Sequence, residues 1–331
     1  MPSALDLGAT AVLACYPSFC RQATPLPLDH GGFSGTALWH IDGSAGSFCL
    51  RAWPPAESWE RMRFRHRLMV TARRAGLLFV PTVFAALDGA TAIERGGRLW
   101  DVTEWMPGRA DFHQHPSSSR LETAAGTLAQ LHAVWRSVPC ERTGPCAVQR
   151  RLSLLEEWQH LLRSGWRPRW ETADEQLRPL AQRAWRLLPS ALEEVPRLLQ
   201  RWRDDAPRLQ PCLCDLWHDN VLFDGDRLGG LIDYGAVKVD RVAVDVARLL
   251  GSLVKDDADG WRCGFQAYRR YASFSADDED LARVLDRTGV ALGAANWLRW
   301  LYQEHRSFAD RNAVARRLTE LVERLQAEPA G

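Results

Sequence analysis

Three side chains in one short stretch have the types and spacing to move a phosphoryl group. Asp215 is followed five residues later by Asn220, and Asp233 closes the next apolar run. The surrounding segment, 212–234, reads as a strand over 211–214, a polar loop, and a hairpin. Extended structure resumes at 221–223, Asp224-Gly225-Asp226 supplies the turn, and 228–232 returns apolar into Asp233. Trp217, His218 and Asp219 crowd the same loop. Polar groups this dense between apolar strands are unfavourable unless they bind something. In phosphoryl transfer one carboxylate takes the acceptor's hydroxyl proton. An amide and a second carboxylate hold magnesium on the nucleotide phosphates.

On these residues the chain resembles the aminoglycoside phosphotransferase and choline kinase-like family. That family's catalytic segment reads H-G-D-x-x-x-x-N, followed by I-D-F or I-D-Y. The matching residues are Leu213-Cys214-Asp215, Asn220 and Ile232-Asp233-Tyr234, so Leu213 replaces the family's His and Cys214 its Gly. The resemblance implies that Asp215 is the base and that Asn220 and Asp233 are the metal ligands. The family continues with a helix opening D-x-x-x-x-D, an aliphatic residue and Ala, matched by Asp240, Asp245, Val246 and Ala247. It implies that Asp245 braces the catalytic loop through its backbone. Hairpin chemistry alone would make Asp224, Asp226 and Asp233 turn residues. The joint match of Asp215, Asn220 and Asp245 favours the functional reading.

These residues need elements to hold them. A Gly-rich turn from His30 to Thr36 precedes strands over 37–41 and 47–53. Glycines there let backbone N–H groups approach phosphate oxygens. The resemblance implies that Gly31, Gly32, Ser34 and Gly35 form the nucleotide loop. A helix over 57–75 and strands over 81–87 and 98–103 complete the lobe. Glu104-Trp105-Met106-Pro107-Gly108 resembles the family's inter-lobe hinge, where the backbone at Glu104 and Met106 would hold adenine. The pattern then predicts helices over 119–135, 151–164, 173–188, 190–203, 242–254, 259–272, 278–304 (with a break near Gly289 or Gly293) and 312–327. The implied class is α+β, a bilobal protein-kinase-like fold. Its small lobe would have a five-stranded antiparallel sheet and one helix, and its larger lobe would be mainly helical. The expected domains are an extension over 1–28 adding a helix, a nucleotide-binding lobe over 29–108, and a helical lobe over 109–331. The helical lobe would carry the catalytic loop, 212–235, and the acceptor site.

One position departs from the family. Relatives carry a lysine on the third strand, paired with a glutamate on the following helix. The only lysines here are Lys238 and Lys255, and Arg51 stands at the third-strand position. No acidic residue lies between Glu60 and Asp88, so the helical glutamate is missing as well. Arginine is always charged and binds phosphate bidentately, so Arg51 would serve as the clamp without a carboxylate to hold it. The alternative is a nucleotide-binding or regulatory relative with impaired catalysis.

Composition narrows the rest. A formal net charge of +1 over 331 residues leaves no electrostatic footprint for nucleic acid or an anionic membrane. Eight cysteines without a C-x-x-C pair are not a disulfide framework, and no fourth ligand joins Cys212, Cys214 and His218 into a metal site. No signal peptide or membrane span is evident, so the expected location is cytoplasmic. His132 reads as a packing residue. Fifteen tryptophans either fill core between long helices or, near Glu304, wall a cationic acceptor. The expectation is an ATP- and magnesium-dependent phosphotransferase acting on a hydroxyl of a small molecule. The identity of the acceptor and the oligomeric state stay open.

Overall fold

The computed structural model describes residues 4–18, 23–28, 35–141, 144–172, 175–204, 208–308 and 310–327. The chain forms two compact units, 1–138 with 218–237 and 139–217 with 238–331.

The first unit is built on an antiparallel sheet of β1 (Leu26–Pro27), β2 (Ala37–Gly43), β3 (Gly46–Ala52), β4 (Val83–Phe84), β5 (Ile93–Arg95) and β6 (Arg98–Glu104). The order is β1-β2-β3-β6-β4, with β5 also paired to β6. Six strands replace the five expected, and two of them were not located in the sequence: Ile93–Arg95, paired with β6, and Leu26–Pro27, paired with His40 and Trp39 at the sheet edge. Two residues are too few to show a period-2 pattern, and proline is tolerated only where no ladder N–H is needed.

Side chains alternate across a strand, and this sorts the unit into two layers. Phe48, Leu50 and Ala52 of β3 join Trp39, Ile41, Trp100 and Val102 under the helix Ala4–Leu13, which adds Ala9, Val12 and Leu13 to that core. Arg51 therefore projects from the opposite face. The helix Trp59–Arg74, N-capped by the Ser58 side chain, buries Met62, Arg65, His66, Leu68, Met69 and Ala72.

A hairpin of β8 (Val221–Asp224) and β9 (Arg227–Leu231) belongs to the same unit. It lies against the segment after β6, where Arg109 and Phe223 exchange backbone hydrogen bonds of 2.8 and 2.9 Å. A Cβ at Gly229 would strike the Pro107 carbonyl, and one at Gly230 would sit 2.6 Å from Met106 Cβ. Only glycine admits this approach. Gly229→Ala is expected to destabilise the protein by about 1–3 kcal/mol, the usual effect of overpacking, read as a lowered urea midpoint. An unchanged midpoint would show that the hairpin yields without strain.

The second unit pairs β7 (Gln210–Cys212) with β10 (Lys238–Asp240) among the helices Ala147–Arg163, Arg178–Leu199, Ala243–Val254, Ala258–Arg269, Ala276–Tyr302 and Arg311–Gln326. The two helices expected over 173–188 and 190–203 are largely one. Arg178–Leu199 runs through Pro189 and Pro196. Its buried stripe of Ala181, Ala184, Leu188, Leu192, Val195 and Leu199 continues past both prolines, so packing outweighs the lost backbone bonds. Ala276–Tyr302 is likewise unbroken at Gly289 and Gly293. Many of this unit's tryptophans pack edge-on, as in Trp158–Trp166 and Trp166–Trp185. Near Glu304 the cation over Trp300 is the chain's own Arg306, 5.0 Å from the ring centroid. No helix among the described residues is long and apolar enough to cross a membrane.

Candidate active site

In the first unit Arg51 is not without a carboxylate. Cross-strand register sets Arg51 of β3 opposite Asp101 of β6. Arg51 Nε donates to Asp101 Oδ1 at 3.1 Å, and one Nη donates to Asp101 Oδ2 at 3.5 Å and to Thr103 Oγ1 at 3.1 Å. His66, from the helix where relatives would carry glutamate, completes the set. Its Nε2 lies 2.9 Å from Asp101 Oδ2 and its Nδ1 lies 2.9 Å from Thr91 Oγ1. Asp101 is fully buried. Burial pushes its carboxyl up, but Arg51 and His66 outweigh burial and hold it well below the usual carboxylate range. Burial also works against the charge on Arg51, and Asp101 raises it above its ordinary value. Because the folded Asp101 is depressed, its stabilisation is in place above the ordinary carboxylate range and is lost as pH falls toward the folded value.

Sequence reasoning missed Asp101, His66 and Arg65. The usable signal was a lone acid inside the otherwise apolar Leu99-Trp100-Asp101-Val102, since a buried charge demands a partner. Arg65 Nε donates to the Tyr234 carbonyl at 2.9 Å, and an Nη donates to Glu57 at 3.0 Å and to the Gly235 carbonyl at 3.4 Å. Its guanidinium lies 3.8 Å from the centroid of the Trp53 ring. Arg65 thus fixes the peptide that follows Asp233.

Asp233 has φ 60°, a left-handed conformation that Asp tolerates, and its Oδ1 accepts from Gly235 N–H at 3.1 Å. Asn220 stands at the same open end of the hairpin, its backbone carbonyl accepting from Ile232 N–H at 3.0 Å. Together they offer an amide and a carboxylate, oxygen donors that suit magnesium. In the segment that resembles the hinge, Glu104 accepts from Thr82 N–H at 3.1 Å and from its hydroxyl at 2.7 Å, so the side chain is committed inside the unit. Met106 is buried, and Trp105 N–H donates to the Ser47 carbonyl at 3.0 Å. Gly31, Gly32 and Ser34 lie outside the described residues. Gly35 is described, with φ 76°.

Asp215 and Asp245 belong to the second unit. Asp245 is fully buried, and its two carboxylate oxygens accept from Leu213 N–H and Cys214 N–H at 2.6 Å each. Cys214 has φ 66°. A non-glycine residue there stores about 1 kcal/mol or more of backbone strain, and the two bonds to Asp245 offset it. Asp215, next in the chain, is half exposed. Its Oδ1 accepts from Trp217 Nε1 at 2.8 Å, and an Nη of Arg248 stands 3.9 Å away. Arg248 and Arg317 lie 5.0 and 3.7 Å from the centroid of the Trp217 ring.

Residues 26–285 match the model of the phosphotransferase enzyme family. A homoserine kinase of Ralstonia nicotianae is 28% identical over 229 residues, covering 65% of this chain and 62% of that protein. The match therefore spans less than two thirds of that relative. A homoserine kinase of Nitrobacter hamburgensis is 27% identical over 254 residues, covering 75% and 71%. Among solved structures, a spectinomycin phosphotransferase in complex with ADP and spectinomycin aligns over 97% of both chains, with TM-score 0.74 and 11% identity. A microcompartment-associated aminopropanol kinase aligns over 96% of this chain and 95% of its own, with TM-score 0.59 and 16% identity. The fold they share with this chain is the protein-kinase-like α+β fold.

Proposed function

This chain belongs to the phosphotransferase enzyme family, and we propose that it acts in the cytoplasm, moving the γ-phosphoryl group of ATP to a hydroxyl of a small molecule. Asp215 takes the hydroxyl proton. The acceptor oxygen bonds to the γ-phosphorus while the bond from that phosphorus to the β,γ-bridging oxygen breaks, and ADP leaves with the electron pair. Asn220 and Asp233 would hold magnesium, whose charge offsets that of the phosphates. Arg51, with the turn at Gly31, Gly32, Ser34 and Gly35, clamps those phosphates, and the backbone at Glu104 and Met106 holds the adenine. Asp245 keeps the peptide before Asp215 in place. The expected lobe boundaries, after 28 and after 108, belong to the same proposal.

The observation that best supports this reading is the Arg51–Asp101–His66 set. A decayed position has no need of a buried carboxylate fixed from two sides, whereas a phosphate clamp needs its cation held still. Small amino alcohols are the first acceptors to try, because curated relatives are named homoserine kinases and a structural neighbour is an aminopropanol kinase. The test is phosphorylation of homoserine, 3-aminopropan-1-ol, choline and spectinomycin with MgATP, read as ADP release and product mass. Turnover of at least one is expected. MgATP binding without turnover of any hydroxyl compound would favour the nucleotide-binding alternative, and loss of both would overturn the reading.

A further inference from the structure

Arg248 is a charged group in search of an anion. It sits on the helix Ala243–Val254, and its only ion-pair contact among the described residues is Asp215, at 3.9 Å. That distance is beyond a hydrogen bond. Its Nε is buried with no partner, while the side chain as a whole is 34% exposed and so remains reachable. Trp217 explains why the two charges do not close on each other. Its Nε1 holds Asp215 Oδ1 at 2.8 Å, and its ring takes the Arg248 guanidinium at 5.0 Å. Asp215 and Arg248 therefore stand side by side against one indole ring, without a hydrogen bond between them.

Charges of both signs surround Arg248, with Asp240 and Asp286 among the acids acting on this cluster. Burial and the neighbouring charges of Arg248 and Arg150 pull the Arg151 guanidinium down to about 9, so a second arginine lies within electrostatic reach. The nearby acid Asp286 is occupied by Arg324, with hydrogen bonds of 2.6 and 3.1 Å.

We infer that Arg248 selects the acceptor by binding a carboxylate that the acceptor carries a few bonds from its reacting hydroxyl. This rests on the phosphotransfer reading, in which the hydroxyl sits at Asp215. A planar guanidinium matches a carboxylate bidentately. The substrate class is then a small hydroxy acid or hydroxy amino acid.

The test uses matched pairs differing only in the carboxylate: homoserine against 3-aminopropan-1-ol, and serine against ethanolamine. Calorimetry on the MgADP-loaded protein should give tighter binding of the carboxylated member of at least one pair. Arg248→Met should reduce that preference about tenfold or more, the usual weight of charged hydrogen bonds. Arg248→Lys should restore part of it. In turnover, the kcat/KM ratio within the pair should fall by the same factor, mainly through KM. Equal binding of both members of each pair by the wild type, or equal loss for both in Arg248→Met, would overturn the inference. So would a loss of MgATP affinity in that variant, which would assign Arg248 to the nucleotide. Carboxylate-selective binding without turnover would uphold Arg248 and sink the phosphotransfer reading instead.

Discussion

Asp215→Asn is expected to slow phosphoryl transfer by about 10²–10⁴ while leaving MgATP affinity nearly unchanged, the effect of removing a positioned general base. The substitution is nearly isosteric. An asparagine oxygen can still accept from Trp217 Nε1, which now bonds to Asp215 at 2.8 Å, and the neighbouring backbone is held by Asp245, so the loop should keep its form. What disappears is the carboxylate proposed to take the hydroxyl proton. Single-turnover rates with the best acceptor, alongside calorimetry with MgATP, separate the two effects. A variant that turns over at the parental rate would remove Asp215 from the role of base.

Arg51 should show the other large effect, and the arginine should outperform the family's own lysine. In the proposed role, Arg51→Ala would remove a cation from the phosphates and lower nucleotide affinity by about 10–100-fold, the weight of a charged hydrogen bond. It also strands Asp101 in the interior, so about 3–5 kcal/mol of stability should go with it. Arg51→Lys distinguishes function from folding. A lysine restores one charge but presents a compact ammonium in place of a planar fork. The fork is what now meets both oxygens of Asp101 and the hydroxyl of Thr103. The lysine variant should therefore bind MgATP more weakly and turn over more slowly than wild type, although lysine is the residue its relatives carry. A lysine that matches or exceeds the wild-type rate would mark Arg51 as a decayed position. Identical MgATP affinity in wild type, Arg51→Ala and Arg51→Lys would place Arg51 away from the nucleotide.

Local chemistry made much of this protein legible from its sequence. The hairpin at Asp224-Gly225-Asp226 was readable because glycine takes the left-handed conformation, φ 59°, that the turn demands. The helix Trp59–Arg74 was readable to within two residues from its apolar positions, which are a short-range signal, while the Ser58 cap that sets its start was not read. The spacing of Asp215, Asn220, Asp233 and Asp245 carried the family in the same way, and the family model covers that stretch.

Only the tertiary structure decided how the charges are satisfied. Arg51 was expected to stand without a carboxylate because its usual partner would lie on the next helix. Its partner is instead Asp101, 50 residues away and set by the register of β3 on β6. Prolines that break helices in isolation were overridden in Arg178–Leu199 by a continuous buried stripe. The same holds for Arg248, whose place beside Asp215 and Trp217 depends on how its helix packs within the second unit. Turn geometry and helix periodicity follow from backbone sterics over a few residues, so a sequence displays them. A buried charge requires a partner with equal force, but which residue answers is fixed by strand register and helix packing, and those exist only in the folded chain.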